Sequence, residues 1–193
     1  MIRIGIIGDI GSGKSYVAKC FGHPVFNADQ EVSKLYKNNR KIFRSLNKLI
    51  PKYIVSFPID KKEISNAILA NQVNLTKIIK IVHKEIRKKM SLFLIKNKNK
   101  KLIILDIPLL LENKINNEKD ILVFVESQKS KIKKRLKKRV NFNSKLFKKF
   151  KKIQLPIDYK KRKANFIIKN DFTKASVKMG IKKILKEISK WEK

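Results

Sequence analysis

Near the start of the chain, Gly8-Asp9-Ile10-Gly11-Ser12-Gly13-Lys14-Ser15 satisfies the pattern G-x-x-x-x-G-K-[ST] at every defined position. Each residue type answers a demand of phosphate chemistry. Gly8, Gly11 and Gly13, with Ser12 among them, let the main chain curl so that successive N–H groups point at phosphate oxygens. Lys14 is spaced to reach β- and γ-phosphates, and the Ser15 hydroxyl is placed to ligate Mg2+. Tyr16 follows directly and belongs to the same nucleotide-binding set. The flanks matter as much as the motif. The apolar run from Ile2 to Ile7 precedes it, and a helical pattern from about Lys14 to Phe21 follows. A helix starting there adds the positive end of its dipole. A glycine-rich turn that fits by accident would lack this strand–loop–helix setting. The motif implies a nucleoside triphosphate and, alone, does not separate ATP from GTP.

Two carboxylates stand where such a site needs them. Asp106 closes the apolar run Leu102-Ile103-Ile104-Leu105, which places it to hold Mg2+ through water; an ordinary loop cap is the competing role. Asp29 comes 15 positions after Lys14 (29 − 14), just beyond the short strand Pro24–Asn27. The ends of adjacent parallel strands converge on one crevice. A carboxylate there can take the proton of an attacking hydroxyl and align it with the γ-phosphate. In a loose phosphoryl-transfer transition state alignment outweighs basicity, so an ordinary Asp with a pKa of about 4 suffices. The structural alternative is an N-cap for a helix beginning near Gln30.

The elements that must position these groups follow from periodicity. Ile121–Val125 and Phe166–Ile168 read as two further strands, giving five in all. From Gln30 to about Lys100 the pattern is helical, with Ile64, Ile68 and Leu69, then Ile78, Ile79, Val82 and Ile86, at offsets of three and four. Pro51 and Pro58 bracket a loop within it. A basic helical stretch runs from about Lys129 to Ile153 with a break near Asn141–Ser144, and a last helix spans Lys174 to Trp191. Strands alternating with helices predict a parallel sheet covered on both faces.

Composition bounds the rest. The chain of 193 residues with 42% hydrophobic content suits one domain with a real core. No stretch approaches the ~20 apolar residues of a membrane-spanning helix. The sequence enters its first strand at Met1–Gly5, without room for a signal peptide. Cys20 is the only cysteine, which excludes an internal disulfide; inside a predicted helix it reads as a structural thiol. These features together point to the cytoplasm. Lys and Arg number 49 against 15 Asp and Glu, a formal net charge of +34. Such a field attracts polyanions and steers phosphorylated substrates. The lysines are dispersed, without aromatic interleaving, and accompany abundant Ile and Asn, so A/T-rich codon usage accounts for them better than a specific nucleic-acid site.

Four segments together resemble the dephospho-CoA kinase family. They are the Ile10–Ser15 core of the loop, Asn27-Ala28-Asp29, the run Asp106-Ile107-Pro108-Leu109-Leu110-Leu111-Glu112, and Arg135 and Arg139 followed by Gln154, Lys160, Ala164 and Asn170. The resemblance spans nearly the whole chain, and the P-L-L-x-E segment is its most discriminating part. It implies a three-layer αβα P-loop NTPase fold with a helical acceptor-binding insert over 30–100 and a lid over about 139–155. The nucleotide-binding core would comprise 1–29 and 101–193. The implied reaction is transfer of phosphate from ATP to the ribose 3′-hydroxyl of dephospho-CoA, with Mg2+, in a monomer.

The same resemblance assigns roles. Asp29 is the proposed base; Arg139, with Arg135 behind it, closes over ATP; Asn170 lies near the adenine. Lys61, His83, Pro108 and Leu109 meet the acceptor, while Glu112 either orders Mg2+ water or caps the next element. His83 and Lys61 also read plainly as ordinary helix residues, and Arg139 as part of a solvated basic face. Several positions depart from the family pattern: Asn27 where it has Asp, Lys84 in place of Pro after His83, Lys61 for Arg, Val140 for an acid, and Asn165 for Asp. Three rivals remain at this point: a kinase for another small acceptor such as a nucleoside monophosphate, a nucleic-acid-binding NTPase or basic binding module, and, given these departures, a decayed enzyme that binds ATP without turnover.

Overall fold

A computed structural model describes residues 1–140 and 142–191 of the chain. In chain order the elements begin with β1 (Ile2–Gly8), α1 (Lys14–Cys20), β2 (Val25–Asn27), α2 (Ala28–Asn38), α3 (Arg40–Leu49), α4 (Lys61–Ala70) and α5 (Gln72–Lys96). They continue with β3 (Leu102–Asp106), β4 (Ile121–Glu126), α6 (Lys129–Lys137) and α7 (Ser144–Lys152). The last three are α8 (Ile157–Lys163), β5 (Phe166–Lys169) and α9 (Lys174–Lys190). Two compact units emerge. One comprises Met1–Asn27, Asn97–Phe142 and Phe150–Lys193; the other comprises Ala28–Lys96 and Asn143–Lys149.

The first unit holds a five-stranded sheet in the order β2-β3-β1-β4-β5, with every pairing parallel. β3 is buried along its whole length and β4 along all but its last residue, as expected of inner strands that are apolar on both faces. One face packs Ile4, Ile6, Ile104, Val123 and Ile168 against Val17 and Ala18 of α1 and against α9. The buried stripe of α9, Val177, Ile181, Ile184 and Ile188, repeats at offsets of four, three and four, one side of a helix. Because β1 lies between β3 and β4, chain crossovers leave it in opposite directions. That is where an open α/β sheet forms its crevice, at the carboxyl ends of the strands. The register brings Gly8 opposite Val125 and Asn27 opposite Asp106 at that edge.

The second unit is helical. Its helices carry explicit start signals: Asn39 Oδ1 accepts from Ile42 N at 3.0 Å, and Asp60 Oδ1 from Lys62 N at 2.7 Å. The five strands fall where the apolar runs place them, and three local readings change. The helix expected near Gln30 starts at Ala28, so Asp29 lies inside its first turn and is not the N-cap. The basic stretch splits earlier, with α6 ending at Lys137; Asn141, where the break was placed, lies outside the described residues. Helix α8 has no counterpart in the sequence reading, since its only buried residue is Lys160.

Candidate active site

The motif forms the turn between β1 and α1. Gly13 adopts φ 92°, and a Cβ there would stand 2.4 Å from Asn170 Nδ2, so glycine is required by both backbone and neighbour. At Gly11, φ is 85° and a Cβ would come 3.0 Å from Ile132 Cγ2 and 3.1 Å from Leu136 Cγ. Those are the two buried residues of α6, which therefore seats directly on the loop.

Two strand ends clamp the same loop. The Ser12 carbonyl accepts from Asn170 Nδ2 at 2.8 Å and from Ser127 Oγ at 3.0 Å, a partner for each lone pair. Asn170 is only 2% exposed, and its Oδ1 accepts from Phe172 N at 2.9 Å. Lys14 folds over the loop, its Nζ donating to Asp9 O at 2.8 Å and Gly8 O at 3.3 Å. The Asp9 carboxylate accepts from Ile10 N at 2.7 Å and pairs with Lys151 Nζ at 2.6 Å. Ser15 is exposed. Tyr16 is exposed as well, and a hydrogen bond with the Cys20 thiol raises its phenol pKa above 10.0. Cys20 itself is half-buried against the core.

Asp106 is buried at the end of β3 and accepts a hydrogen bond from Asn27 Nδ2. This gives the departure at position 27 a physical sense: an amide supplies a donor where a second carboxylate would face Asp106 with like charge. Beyond Asp106, Pro108 is exposed and Leu109 sits at φ 57°, a left-handed conformation disfavoured for a side chain by about 1–2 kcal/mol. Glu112 meets two partners within the first unit. It is paired with Lys160 Nζ at 2.6 Å, both side chains being under a tenth exposed, and it also accepts from Leu155 N at 3.1 Å. The pair fastens the segment after β3 to α8.

Arg135 lies exposed on α6 with its guanidinium 4.3 Å from the centroid of the Phe172 ring. Phe172 has φ 73°, and its Cε1 is 3.5 Å from where a Gly13 Cβ would stand. Arg139, two residues past α6, is exposed. In the second unit, Asp29 is exposed in the first turn of α2, and its carbonyl accepts from Ser33 Oγ at 2.9 Å. Lys61 is the exposed first residue of α4. His83 is half-buried on α5, where burial first and the Arg87 charge second lower its pKa below 6.5. In the first unit the structure thus gathers the loop, Arg135 and Asn170, with Asp106 at the same edge of the sheet, and it adds Lys151, Ser127 and Phe172, which sequence reasoning missed; Lys160 was singled out, but without its partner Glu112. Nothing in the sequence distinguishes Lys151 from its many neighbouring lysines. The short gap from Asn170 to Phe172 was the one available pointer to the latter.

A parallel sheet ordered 2-3-1-4-5, with a strand–loop–helix phosphate cradle at the end of its central strand, defines a P-loop kinase fold. The model of the Dephospho-CoA kinase family matches residues 2–176, and the chain belongs to that family. It is 34% identical over 191 residues to the dephospho-CoA kinase of Wolbachia pipientis wMel, covering 96% of this chain and 97% of that one. A crystal structure from Thermus thermophilus superposes with a TM-score of 0.78 at 25% identity, covering 96% of this chain and 97% of the other. Dephospho-CoA kinase from Campylobacter jejuni shares the fold, with a TM-score of 0.64 at 22% identity over 96% of each chain. The nucleoside monophosphate kinase and nucleic-acid NTPase alternatives give way to this assignment.

Proposed function

We propose that the protein transfers the γ-phosphate of ATP to the ribose 3′-hydroxyl of dephospho-CoA, yielding coenzyme A and ADP in the last step of coenzyme A synthesis. One observation carries the reading: the complete Gly8–Ser15 cradle, with the Lys14 amine held over it, in a chain matched to the dephospho-CoA kinase family over residues 2–176.

The backbone N–H groups of Gly11–Ser15 and the Lys14 ammonium bind the β- and γ-phosphates. The Ser15 hydroxyl and, through water, the Asp106 carboxylate fit Mg2+, a cation that keeps several waters and takes few protein ligands beside substrate phosphates. When bound it neutralises charge on the phosphate oxygens. Asp29, two residues past the end of β2, orients the 3′-hydroxyl. As that oxygen bonds to the γ-phosphorus, its proton passes to the Asp29 carboxylate and the bond to the ADP oxygen breaks. Arg139, with Arg135, draws over the triphosphate and keeps out water that would hydrolyse it. Asn170 and Phe172 hold the nucleotide end of the loop, while Lys61, His83, Pro108 and Leu109 meet the acceptor. On this reading the protein is a cytoplasmic monomer. Among the described residues no helix is long and apolar enough to cross a membrane. Its net charge of +34 supports weak, salt-sensitive polyanion binding without sequence preference.

The test is ADP release with Mg-ATP in the presence of dephospho-CoA, AMP, CMP or no acceptor, with Asp29→Ala alongside. Stimulation by dephospho-CoA alone, lost in the variant, is expected. A stronger response to AMP or CMP would reject the acceptor assignment.

A further inference from the structure

Asp9 is an unusual participant in a phosphate loop, because its carboxylate places negative charge in a segment built to receive phosphates. Two ammonium groups converge on this residue. Lys14 Nζ donates to its carbonyl at 2.8 Å, and Lys151 Nζ pairs with its Oδ1 at 2.6 Å. The motif explains the first; nothing in the motif calls for the second. The Asp9 side chain is 16% exposed and that of Lys151 40%, so the pair sits at the solvent boundary. Ion pairs so placed contribute little to stability. What the pair does achieve is to hold one lysine side chain of α7 at the rim of the cradle. The carboxylate is itself oriented by the Ile10 N–H at 2.7 Å.

We infer that Lys151 is a second phosphate-directed cation, stationed at the loop by Asp9 and taken over by the terminal phosphate of a bound nucleoside triphosphate. This rests on the loop's binding ATP, as proposed above. A γ-phosphate beside Asp9 would repel its carboxylate and attract the ammonium. A half-exposed lysine can exchange one anion for the other without being desolvated afresh. Asp9 is then a positioning residue, which acts on ATP through Lys151.

Calorimetric titration of the full chain with ATP and with ADP separates this role from a structural one. Lys151→Ala is expected to weaken ATP binding about tenfold, the loss of one charge-assisted contact, and ADP binding by less than about threefold. Lys151→Arg keeps most of the ATP affinity, and Lys152→Ala, which removes the same charge one residue away, changes neither ligand. In an Asp9→Asn background the Lys151→Ala effect shrinks, because the anchor is already gone. Equal losses for ATP and ADP, or the same loss in Lys152→Ala, would overturn the inference. So would ATP binding by Lys151→Ala indistinguishable from wild type, and that result would leave the kinase reading intact. Failure of the wild-type protein to bind ATP at all would remove both.

Discussion

Replacing Lys160 by Met removes one half of the most deeply enclosed ion pair in the first unit. The Lys160 side chain is 4% exposed and that of Glu112 9%, with 2.6 Å between Nζ and Oε1. Met conserves most of the apolar stem, so the change isolates the charge. Glu112 keeps its hydrogen bond from Leu155 N but loses its counter-ion inside the protein. Removing one partner of a buried pair costs about 3–5 kcal/mol, because the survivor stays buried without compensation. Against a total stability of roughly 5–15 kcal/mol this is a large share. At about 2–4 °C per kcal/mol for a chain of this size, the melting midpoint should fall by roughly 6–20 °C. Urea unfolding followed by circular dichroism reads the change directly. The double variant Glu112→Gln with Lys160→Met provides the control. It leaves no orphaned charge, so it should recover a substantial part of the loss. If Lys160→Met stays within about 1 kcal/mol of wild type, or the double variant is no more stable than the single, the pair does not fasten the loop to α8 as argued.

Asn170→Ala leaves Phe172 N without its acceptor and the Ser12 carbonyl with one donor instead of two. It should cost about 1–3 kcal/mol and raise KM for ATP more than KM for dephospho-CoA; equal changes in the two constants would contradict a role in shaping the cradle. His83 is held below its ordinary pKa, so between that lowered value and 6.5 the unfolded chain binds more protons than the folded one. Stability therefore falls as pH drops through 6.5 and levels off below the folded value. His83→Gln should flatten this part of the profile, measured as urea midpoints from about pH 5 to pH 7; identical slopes in the two proteins would refute it. Asp29→Ala removes the side chain that both aligns the hydroxyl and accepts its proton. It should lower kcat by about 100-fold or more while leaving ATP affinity nearly unchanged, whereas a full kcat would exclude Asp29 as the aligning carboxylate.

The phosphate cradle was legible almost residue by residue, since its chemistry tolerates few side chains and its spacing is local. The inner strands were equally plain, because the central residues of β1, β3 and β4 are buried on both faces and form apolar runs, with polar residues confined to the strand ends. What escaped depended on partners far apart in the chain. Glu112 finds Lys160 across 48 positions (160 − 112) and Asp9 finds Lys151 across 142, and no local pattern announces either. In a chain with 49 Lys and Arg, one more lysine carries no signal of its own. Helix α8 was invisible for a related reason. Periodicity detects apolar stripes, and this seven-residue helix buries a lysine. The start of α2 was missed by two residues because Ala28 and Asp29 read as the end of a strand as readily as the first turn of a helix.

The most direct test of the central claim is the identity of the product. Incubation of the purified protein with Mg-ATP and dephospho-CoA, followed by 31P and 1H NMR of the purified nucleotide, locates the new phosphate on the ribose. The account predicts that dephospho-CoA gains a single phosphate, at the 3′-oxygen, to give coenzyme A one-for-one with ADP. A phosphate at the 2′-oxygen, or ADP formed without any phosphorylated acceptor, would contradict it.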